Sequence, residues 1–408
     1  MRLLTHSVRY LSQWIKHLGI NPQKIIPITI TLYLLFSMVS ISLSQIFLFL
    51  SFISWLVILF QKKEWPSFPS FFWPLLAYSL LSLISSFFSV NPVVSFKDSR
   101  ELLLFLIVPI VYIGFQQEKR LWTANLGLLA SAYLSLLYSF YYFIFKAYPG
   151  ERITGFMGHY MTQAGLLLLF SVMALSLFLF PTEKIKFRLL WGGGFFISLV
   201  GLAFTLTRSA WIGLIISVCT ILVFYKPKIL VAIPLLLSAL FLVSPHFIKD
   251  RVKSIFNLKT TSNQQRIEYF KAGIKIIKDY PLWGTGPDTV DMVFQNPKYG
   301  LSEEAKRNVH LHNNLTQIAA ERGLPALGAW LIFMMWSFIS LLKLVRNKDP
   351  ALLPLAAAGL AALFGLAVAG FFEYNFADSE ITTLFLYIIT IPFALNRIQR
   401  ETQIEKIK

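Results

Sequence analysis

Two histidines that flank a single leucine, His310 and His312, are the side chains of this chain best suited to proton transfer near neutral pH. An unperturbed imidazole has a pKa of roughly 6.5, so it can accept a proton from a hydroxyl group near pH 7. Either histidine could therefore act as a general base. Taken alone, the spacing favours the plainer interpretation, a surface or capping histidine without chemistry.

A metal site at these two histidines is disfavoured by the helix that the sequence predicts around them. The pattern predicts a helix from Ser302, with acidic residues in its first turn, to Gly323 as its stop. Residues two apart on an α-helix point roughly 200° apart, so the two imidazoles could not easily share an ion. Cys219 is the only cysteine, which excludes an intramolecular disulfide and a cysteine-based metal site. We therefore predict no metal.

Two arginines could bind phosphate oxygens. Arg208 stands at the predicted start of a helix, and Arg266 lies on an amphipathic helix predicted over 263–280 and ended by Pro281. The planar guanidinium group binds such oxygens bidentately and can stabilise the charge that grows on a diphosphate leaving group. Alternatively, each could be a plain surface side chain, since arginine at a helix end often extends to lipid headgroups.

The composition indicates which elements must position these residues. The chain has 408 residues, 56% of them hydrophobic and 14% charged, and apolar runs of about 17–25 residues recur along it. We predict an all-α polytopic membrane protein with about twelve transmembrane helices, near 25–41, 45–60, 71–88, 102–115, 121–145, 160–180, 189–206, 209–225, 229–244, 323–342, 351–372 and 380–396. The first two are separated at Ser42–Ser44, where polar residues allow a tight hairpin.

The net charge of +17 is interpreted as a topology signal, because the basic residues form short clusters between the spans and no single basic face for nucleic acid. Most of them fall on one side, which predicts that both termini are cytoplasmic. The resulting segments are a cytoplasmic amphipathic N-terminal segment (1–24), spans one to nine (25–244), a long, partly helical periplasmic loop (245–322), spans ten to twelve (323–396) and a cytoplasmic tail (397–408).

Three motifs together resemble the O-antigen ligase and polymerase superfamily. The first is His-Leu-His-Asn-Asn-Leu-Thr-Gln-Ile-Ala-Ala-Glu-Arg-Gly-Leu-Pro over 310–325. The others are Thr-Arg-Ser-Ala-Trp over 207–211, and Arg266 to Ala272 followed by Pro-Leu-Trp-Gly-Thr-Gly over 281–286. The twelve-span plan with its long loop between spans nine and ten is also similar to these ligases.

The resemblance implies a metal-independent, cofactor-free glycosyltransferase at the periplasmic face of the bacterial inner membrane. Its expected partners are an undecaprenyl diphosphate-linked glycan as donor, lipid A core as acceptor, and membrane lipid; no nucleic acid is expected, and the oligomeric state is left open. His312 is implied as the general base, and Arg208 and Arg266 as the residues that bind the donor diphosphate.

Further substrate contacts are expected around these positions. Arg152 begins an Arg-x-x-Gly element that is often seen in the superfamily and is followed by His159 and Tyr160; a loop turn with two interfacial rings fits equally well. His310 and Asn313 flank the expected base. The glycine-rich turn 281–287 is interpreted as an ordinary loop and not as a phosphate cradle, because no strand–turn–helix context surrounds it.

Other functions fit parts of the pattern. An O-antigen polymerase would use the same donor with a carrier-linked glycan as acceptor, and a protein-glycosylating relative is a third option. A transporter or flippase would need no base, and the predicted spans contain no charged residue apart from Glu380 at the edge of the last one, which argues against it. A membrane scaffold would leave all three motifs unexplained.

Overall fold

A computed structural model describes residues 22–62, 68–146, 148, 150–180 and 184–407, and all regular elements in these ranges are helical. The predicted all-α class is confirmed. The amphipathic segment predicted over residues 1–20 lies outside the described residues. In chain order the helices are α1 Pro22–Phe36, α2 Ile41–Lys62, α3 Phe72–Phe87, α4 Pro92–Asp98, α5 Ile107–Gly114, α6 Glu118–Phe145, α7 Tyr160–Leu179, α8 Ile185–Phe204, α9 Arg208–Tyr225, α10 Ile233–Val243, α11 His246–Phe256, α12 Thr261–Asp279, α13 Val290–Phe294, α14 Asn314–Arg346, α15 Leu353–Ala369 and α16 Ser379–Ile407.

Seven helices of the described chain are long and apolar enough to cross a membrane, which indicates a membrane protein: α2, α6, α7, α8, α9, α14 and α16. Shorter apolar helices occupy the positions of the other predicted spans, namely α1, α3, α15, a 3₁₀ turn continued by α5, and a 3₁₀ turn continued by α10. Each predicted span thus coincides with a helix. The total of twelve crossings stays a prediction.

Three predicted boundaries are wrong. The first hairpin lies at 37–40 and not at Ser42–Ser44. Ser44 lies inside α2, where its hydroxyl donates to the carbonyl of Ile41 at 2.8 Å. Helix α14 begins at Asn314, ahead of the predicted span start at 323, since Asn313 caps it. The segment 397–408, predicted as a tail, continues α16 as far as Ile407.

The centre of the bundle is built from α7, α9, α15 and α16, of which α7 and α16 are the most buried of the seven long helices. Small residues let α9 and α15 approach closely: a Cβ on Gly213 would lie 2.6 Å from the carbonyl oxygen of Gly365. Ser217 donates across the same interface to the carbonyl of Ala361 at 2.8 Å. This packing holds the beginning of α9 against the end of α15.

Helix α14 bends at Gly323, whose φ of 81° and ψ of 168° are not helical. The bend receives the turn 281–287: Thr285 and Gly286 donate to the carbonyls of Ala320 and Glu321, each at 2.8 Å. A Cβ on Gly323 would overlap the backbone of Leu282. The glycines of this turn therefore serve close packing, as expected for an ordinary loop.

A second, smaller core lies beside the bundle. The amphipathic helix predicted over 263–280 is confirmed as α12, and it buries Tyr269, Ala272 and Ile276. These residues pack with side chains from the segment that follows: Val290, Phe294, Tyr299, Leu301, Ala305, Leu311 and Ala320. This core fixes the loop that carries the two histidines.

Candidate active site

The predicted site residues meet at one end of the bundle. Helices α7, α9, α14 and α16 begin there and α15 ends there, so several helix N-termini, with their partial positive charge, face the same region. The predicted residues come from distant parts of the sequence, between Arg152 and Asn313. All except His312 and Asn313 line one of two neighbouring cavities.

The histidine loop differs from its prediction. The helix predicted from Ser302 to Gly323 does not exist before Asn314; a 3₁₀ turn over Ala305–Arg307 and an irregular stretch take its place. Asn313 caps α14 by accepting from the backbone N–H of Thr316 at 3.0 Å and donates to the carbonyl of Phe371 at 3.0 Å. His312, directly before the cap, has a positive φ of 51°. Asn313, predicted as a substrate contact, therefore positions its neighbour.

Both histidines bind one carboxylate, Glu373, in the loop between α15 and α16. Nδ1 of His312 lies 3.1 Å from each carboxylate oxygen, and Nε2 of His310 lies 3.2 Å from Oε1. The two imidazole rings are 4.4 Å apart. Glu373 is only 8% exposed. Burial alone would raise the pKa of Glu373, but the hydrogen bonds from both histidines outweigh it and hold this pKa well below its usual range.

This contact decides which imidazole nitrogen of His312 can act as a base. An ionised carboxylate only accepts hydrogen bonds, so Nδ1 of His312 must carry the proton. Nε2 is then the basic nitrogen, and it makes no hydrogen bond with any described residue. A carboxylate behind a histidine also stabilises the imidazolium that forms when a proton is taken up.

The same three residues could instead hold a metal ion. One ligand atom from each of His310, His312 and Glu373 lies within 4.8 Å of the other two, and two imidazoles with a carboxylate are a common ligand set for zinc. The two imidazoles were predicted to point about 200° apart on one helix. That prediction is wrong, because the helix begins only after both histidines.

The smaller cavity, of about 130 Å³, is lined by four arginines. Arg208 and Arg266 were predicted to bind phosphate oxygens, and Arg152 was predicted as a further substrate contact. Arg251 was not predicted. Within the described ranges none of the four forms an ion pair with an aspartate or glutamate. Burial first, and then Arg152 and Arg266, lowers the pKa of Arg251. An anion in this cavity would relieve the repulsion among the four cations.

Neutral groups hold the arginines in place. Arg208 donates to the carbonyl of Ser254 at 2.7 Å and to the side chains of Ser262 at 3.0 Å and Asn263 at 2.9 Å. Arg251 donates to the carbonyl of Leu206 at 2.8 Å, and Arg266 to that of Phe372 at 3.1 Å. The guanidinium group of Arg152 lies 4.3 Å from the ring centre of Tyr160. Because these hydrogen-bond partners are uncharged, Glu373 is the one carboxylate in the lining that offsets the four positive charges.

The larger cavity measures about 400 Å³ and is lined by His159 and His310 together with six carboxylates. It shares Met161, Thr207, Ser209 and Glu373 with the arginine-lined cavity. His312 is not part of the lining of either cavity, although 13% of its side chain is exposed. The Glu373 carboxylate thus lies between the arginine-lined cavity and an acidic one.

Two features of the site escaped sequence reasoning. Glu373 lies in a short polar turn between two apolar spans. An acidic residue at that position was the sequence signal that could have identified it. Arg322 is 6% exposed and binds Glu321 at 2.8 Å and Asp98 at 3.0 Å. The predicted span began at 323 and so left out Glu321 and Arg322, which belong to the same helix, α14.

Part of this site lies in a region of the chain that matches a known protein family. Residues 193–331 match the family model described as O-antigen ligase. The matched region contains Arg208, Arg251, Arg266, His310 and His312, while Glu373 lies beyond it. No curated protein matches the chain.

Proposed function

We propose that this chain, whose residues 193–331 match the family model described as O-antigen ligase, is a glycosyltransferase at the periplasmic face of the bacterial inner membrane. It moves a glycan from undecaprenyl diphosphate to a sugar hydroxyl of lipid A core. One observation carries the proposal: the cavity lined by four arginines without ion-paired acidic partners is also lined by Glu373, the carboxylate that sets which nitrogen of His312 is basic.

In the proposed reaction, Nε2 of His312 takes the proton of the acceptor hydroxyl as its oxygen attacks the anomeric carbon of the donor. The bond between that carbon and the diphosphate oxygen breaks, and its electron pair leaves with undecaprenyl diphosphate. Arg208, Arg251 and Arg266 stabilise the charge that grows on the leaving group. Glu373 stabilises the imidazolium. A positioned base typically contributes about 10²- to 10⁴-fold to the rate of such a step.

An O-antigen polymerase would use the same donor site and the same base, and it remains the alternative. The two activities differ in the acceptor, which is lipid A core for a ligase and a carrier-linked repeat for a polymerase. Incubating the purified protein with an undecaprenyl diphosphate glycan and either acceptor separates them: for a ligase, only lipid A core gains mass.

The base assignment is tested in the same assay with three variants. We expect His312→Ala to abolish transfer, because no other group then accepts the proton at that position. His310→Ala should retain some transfer, and His246→Ala, which alters an exposed histidine on α11, should resemble the wild type. Full activity of His312→Ala would overturn the assignment, and transfer would then be assigned to His310 if only His310→Ala were inactive.

The metal-independent mechanism predicts that EDTA leaves the transfer rate unchanged. It also predicts that added Zn²⁺ slows transfer, because Zn²⁺ would compete with protons for the two histidines and Glu373. Loss of activity on chelation that a divalent ion restores would instead make His310, His312 and Glu373 a functional metal site.

A further inference from the structure

The larger cavity is acidic, in contrast to the arginine-lined cavity beside it. Its six carboxylates face a single arginine: Asp98, Glu101, Asp288, Glu321, Glu373 and Asp378 against Arg322. Arg322 is already paired with Asp98 and Glu321. In the described chain, Glu101, Asp288 and Asp378 have no basic partner within ion-pair distance. This cavity therefore carries net negative charge.

Two buried polar groups in the same lining lack partners. Gln317 is 1% exposed; its side-chain oxygen accepts from the backbone N–H of Leu311 at 2.6 Å, but its amide nitrogen has no hydrogen-bond partner among the described residues. Ser209 is 6% exposed, and its hydroxyl likewise makes no hydrogen bond within the described ranges. Neither donor atom is among the fully buried unpaired atoms of the described chain, so both are accessible from the cavity and free to donate to a polar occupant.

Size and position fit a sugar. A volume of about 400 Å³ lies within the usual range of roughly 300–1,000 Å³ for small-molecule sites. The cavity touches His310 and Glu373 on one side and shares Ser209 with the arginine-lined cavity. A ligand here would lie against Glu373, the carboxylate that binds the proposed base His312, and beside the cavity proposed for the donor diphosphate.

From this juxtaposition we infer that the larger cavity binds the acceptor glycan and selects one whose reacting end is uncharged or amine-bearing, against one that carries a phosphate or carboxylate there. The inference rests on the proposed function and deepens it by naming the class of acceptor. Carboxylates accept hydrogen bonds from sugar hydroxyls and ammonium groups, whereas they repel an anion in a poorly hydrated cavity.

The two cavities together give each substrate its own electrostatic environment. The donor diphosphate is attracted to the arginines and repelled from the carboxylates, so it cannot occupy the acceptor position. Like-charge contacts of this kind suppress the wrong ligand more than they strengthen the right one.

Equilibrium binding tests the inference without turnover. Fluorescently labelled oligosaccharides that end in glucose, glucosamine, glucuronic acid or glucose phosphate are titrated against the full chain in lipid nanodiscs. We expect the two acidic sugars to bind at least about tenfold more weakly than the other two. The double variant Glu101→Gln/Asp288→Asn should reduce the difference in affinity between the acidic sugars and the other two. Glu303→Gln, which alters an 88% exposed carboxylate, should leave it unchanged.

Each outcome decides the inference. Equal or tighter binding of the acidic sugars, or no binding of any oligosaccharide, would overturn it, as would a double variant that discriminates like the wild type. Failure of the proposed function would look different, because it would appear as absence of glycan transfer from undecaprenyl diphosphate to any acceptor, whichever sugars bind.

Discussion

Glu373 is the residue on which the chemistry of both histidines depends. It is buried, it accepts from His310 and His312 at once, and its depressed pKa keeps it ionised at neutral pH. An ionised acceptor fixes the tautomer of each imidazole. Its proposed role is to position His312 and to stabilise the imidazolium, while His312 itself meets the acceptor hydroxyl.

We predict that Glu373→Gln lowers the turnover number of glycan transfer by about 10²-fold or more and changes the KM for the donor little. The amide removes the negative charge that favours the imidazolium but not the arginines that bind the donor. Steady-state kinetics with purified protein measures both constants, with Glu303→Gln as the matched carboxylate control. An unchanged turnover number would contradict the positioning role.

The depressed pKa of Glu373 also predicts a pH-dependent contribution to stability. Relative to an unfolded value of about 4.3, a lowered folded-state pKa stabilises the protein above that pH, and the stabilisation is lost as the pH falls towards the folded value. The difference in Tm between wild type and Glu373→Gln should therefore be largest above about pH 5 and shrink below pH ~4. Thermal unfolding in detergent across this range measures it, and a gap that widens on acidification would show the opposite sign.

At the scale of elements, the arginine-lined cavity is assembled from four parts of the chain. Arg208 begins α9, Arg251 lies on α11, Arg266 lies on α12, and Arg152 precedes a 3₁₀ turn at Gly155. The serine and asparagine partners of Arg208 come from the end of α11 and the beginning of α12. The segment between spans nine and ten is thereby docked on the membrane bundle by the residues proposed to bind the donor.

Arg251 gives the sharpest prediction for this assembly. We expect Arg251→Ala to raise the KM for the donor by about tenfold or more, because a charge-assisted hydrogen bond is worth about 1.5–3 kcal/mol. The KM for the acceptor should change little. Arg307→Ala, which alters an exposed arginine on the histidine loop, serves as the control. If both variants raised the donor KM equally, a general charge effect would explain the change and not a specific contact.

The bend in α14 gives a second prediction at this scale. Gly323→Ala should destabilise the protein by at least about 2 kcal/mol, because a Cβ there meets the backbone of Leu282 at a positive φ. Gly328→Ala, five residues further along the same helix with nothing near its Cβ, should be tolerated. Tm and the yield of monodisperse protein compare the two. Equal tolerance would show that the turn 281–287 does not depend on this close approach.

At the scale of the whole molecule, α14 connects the site to the opposite end of the bundle. Its 33 residues span about 50 Å at 1.5 Å per residue, enough to cross a membrane. The charge asymmetry of the loops predicts that the histidine end is periplasmic and that Lys343, Arg346 and Lys348 are cytoplasmic.

Cysteine labelling tests this orientation. In a Cys219→Ser background, Glu303→Cys should react with a membrane-impermeant maleimide in intact cells. Lys348→Cys, beyond the other end of α14, should react only after lysis. Both side chains are exposed, so the difference reports the side of the membrane. The reverse pattern would place the proposed site in the cytoplasm, away from a periplasmic acceptor.

Much of the architecture follows from local sequence. A run of apolar residues long enough to cross a bilayer must form a helix, because backbone polar groups have no water to bind there. Each predicted span accordingly coincides with a helix, and α12 lies where the sequence predicts it. The apolar stripe on which that prediction rests is not its buried face, because Ile267, Phe270 and Ile274 are exposed. Boundaries were less accurate where a single side chain decides them, as Asn313 does by capping α14.

The sequence by itself therefore determined the helical membrane class, the positions of the helices, and, through motif resemblance, His312, Arg208 and Arg266 as the residues to examine. Only the tertiary structure decided that Glu373 joins His310 and His312, that Arg251 completes the arginine-lined cavity, and that an acidic cavity adjoins it. The reason is physical: these contacts join residues on different helices and loops, such as His312 and Glu373, which are 61 positions apart. Such pairs are set by how helices pack, which no local pattern encodes.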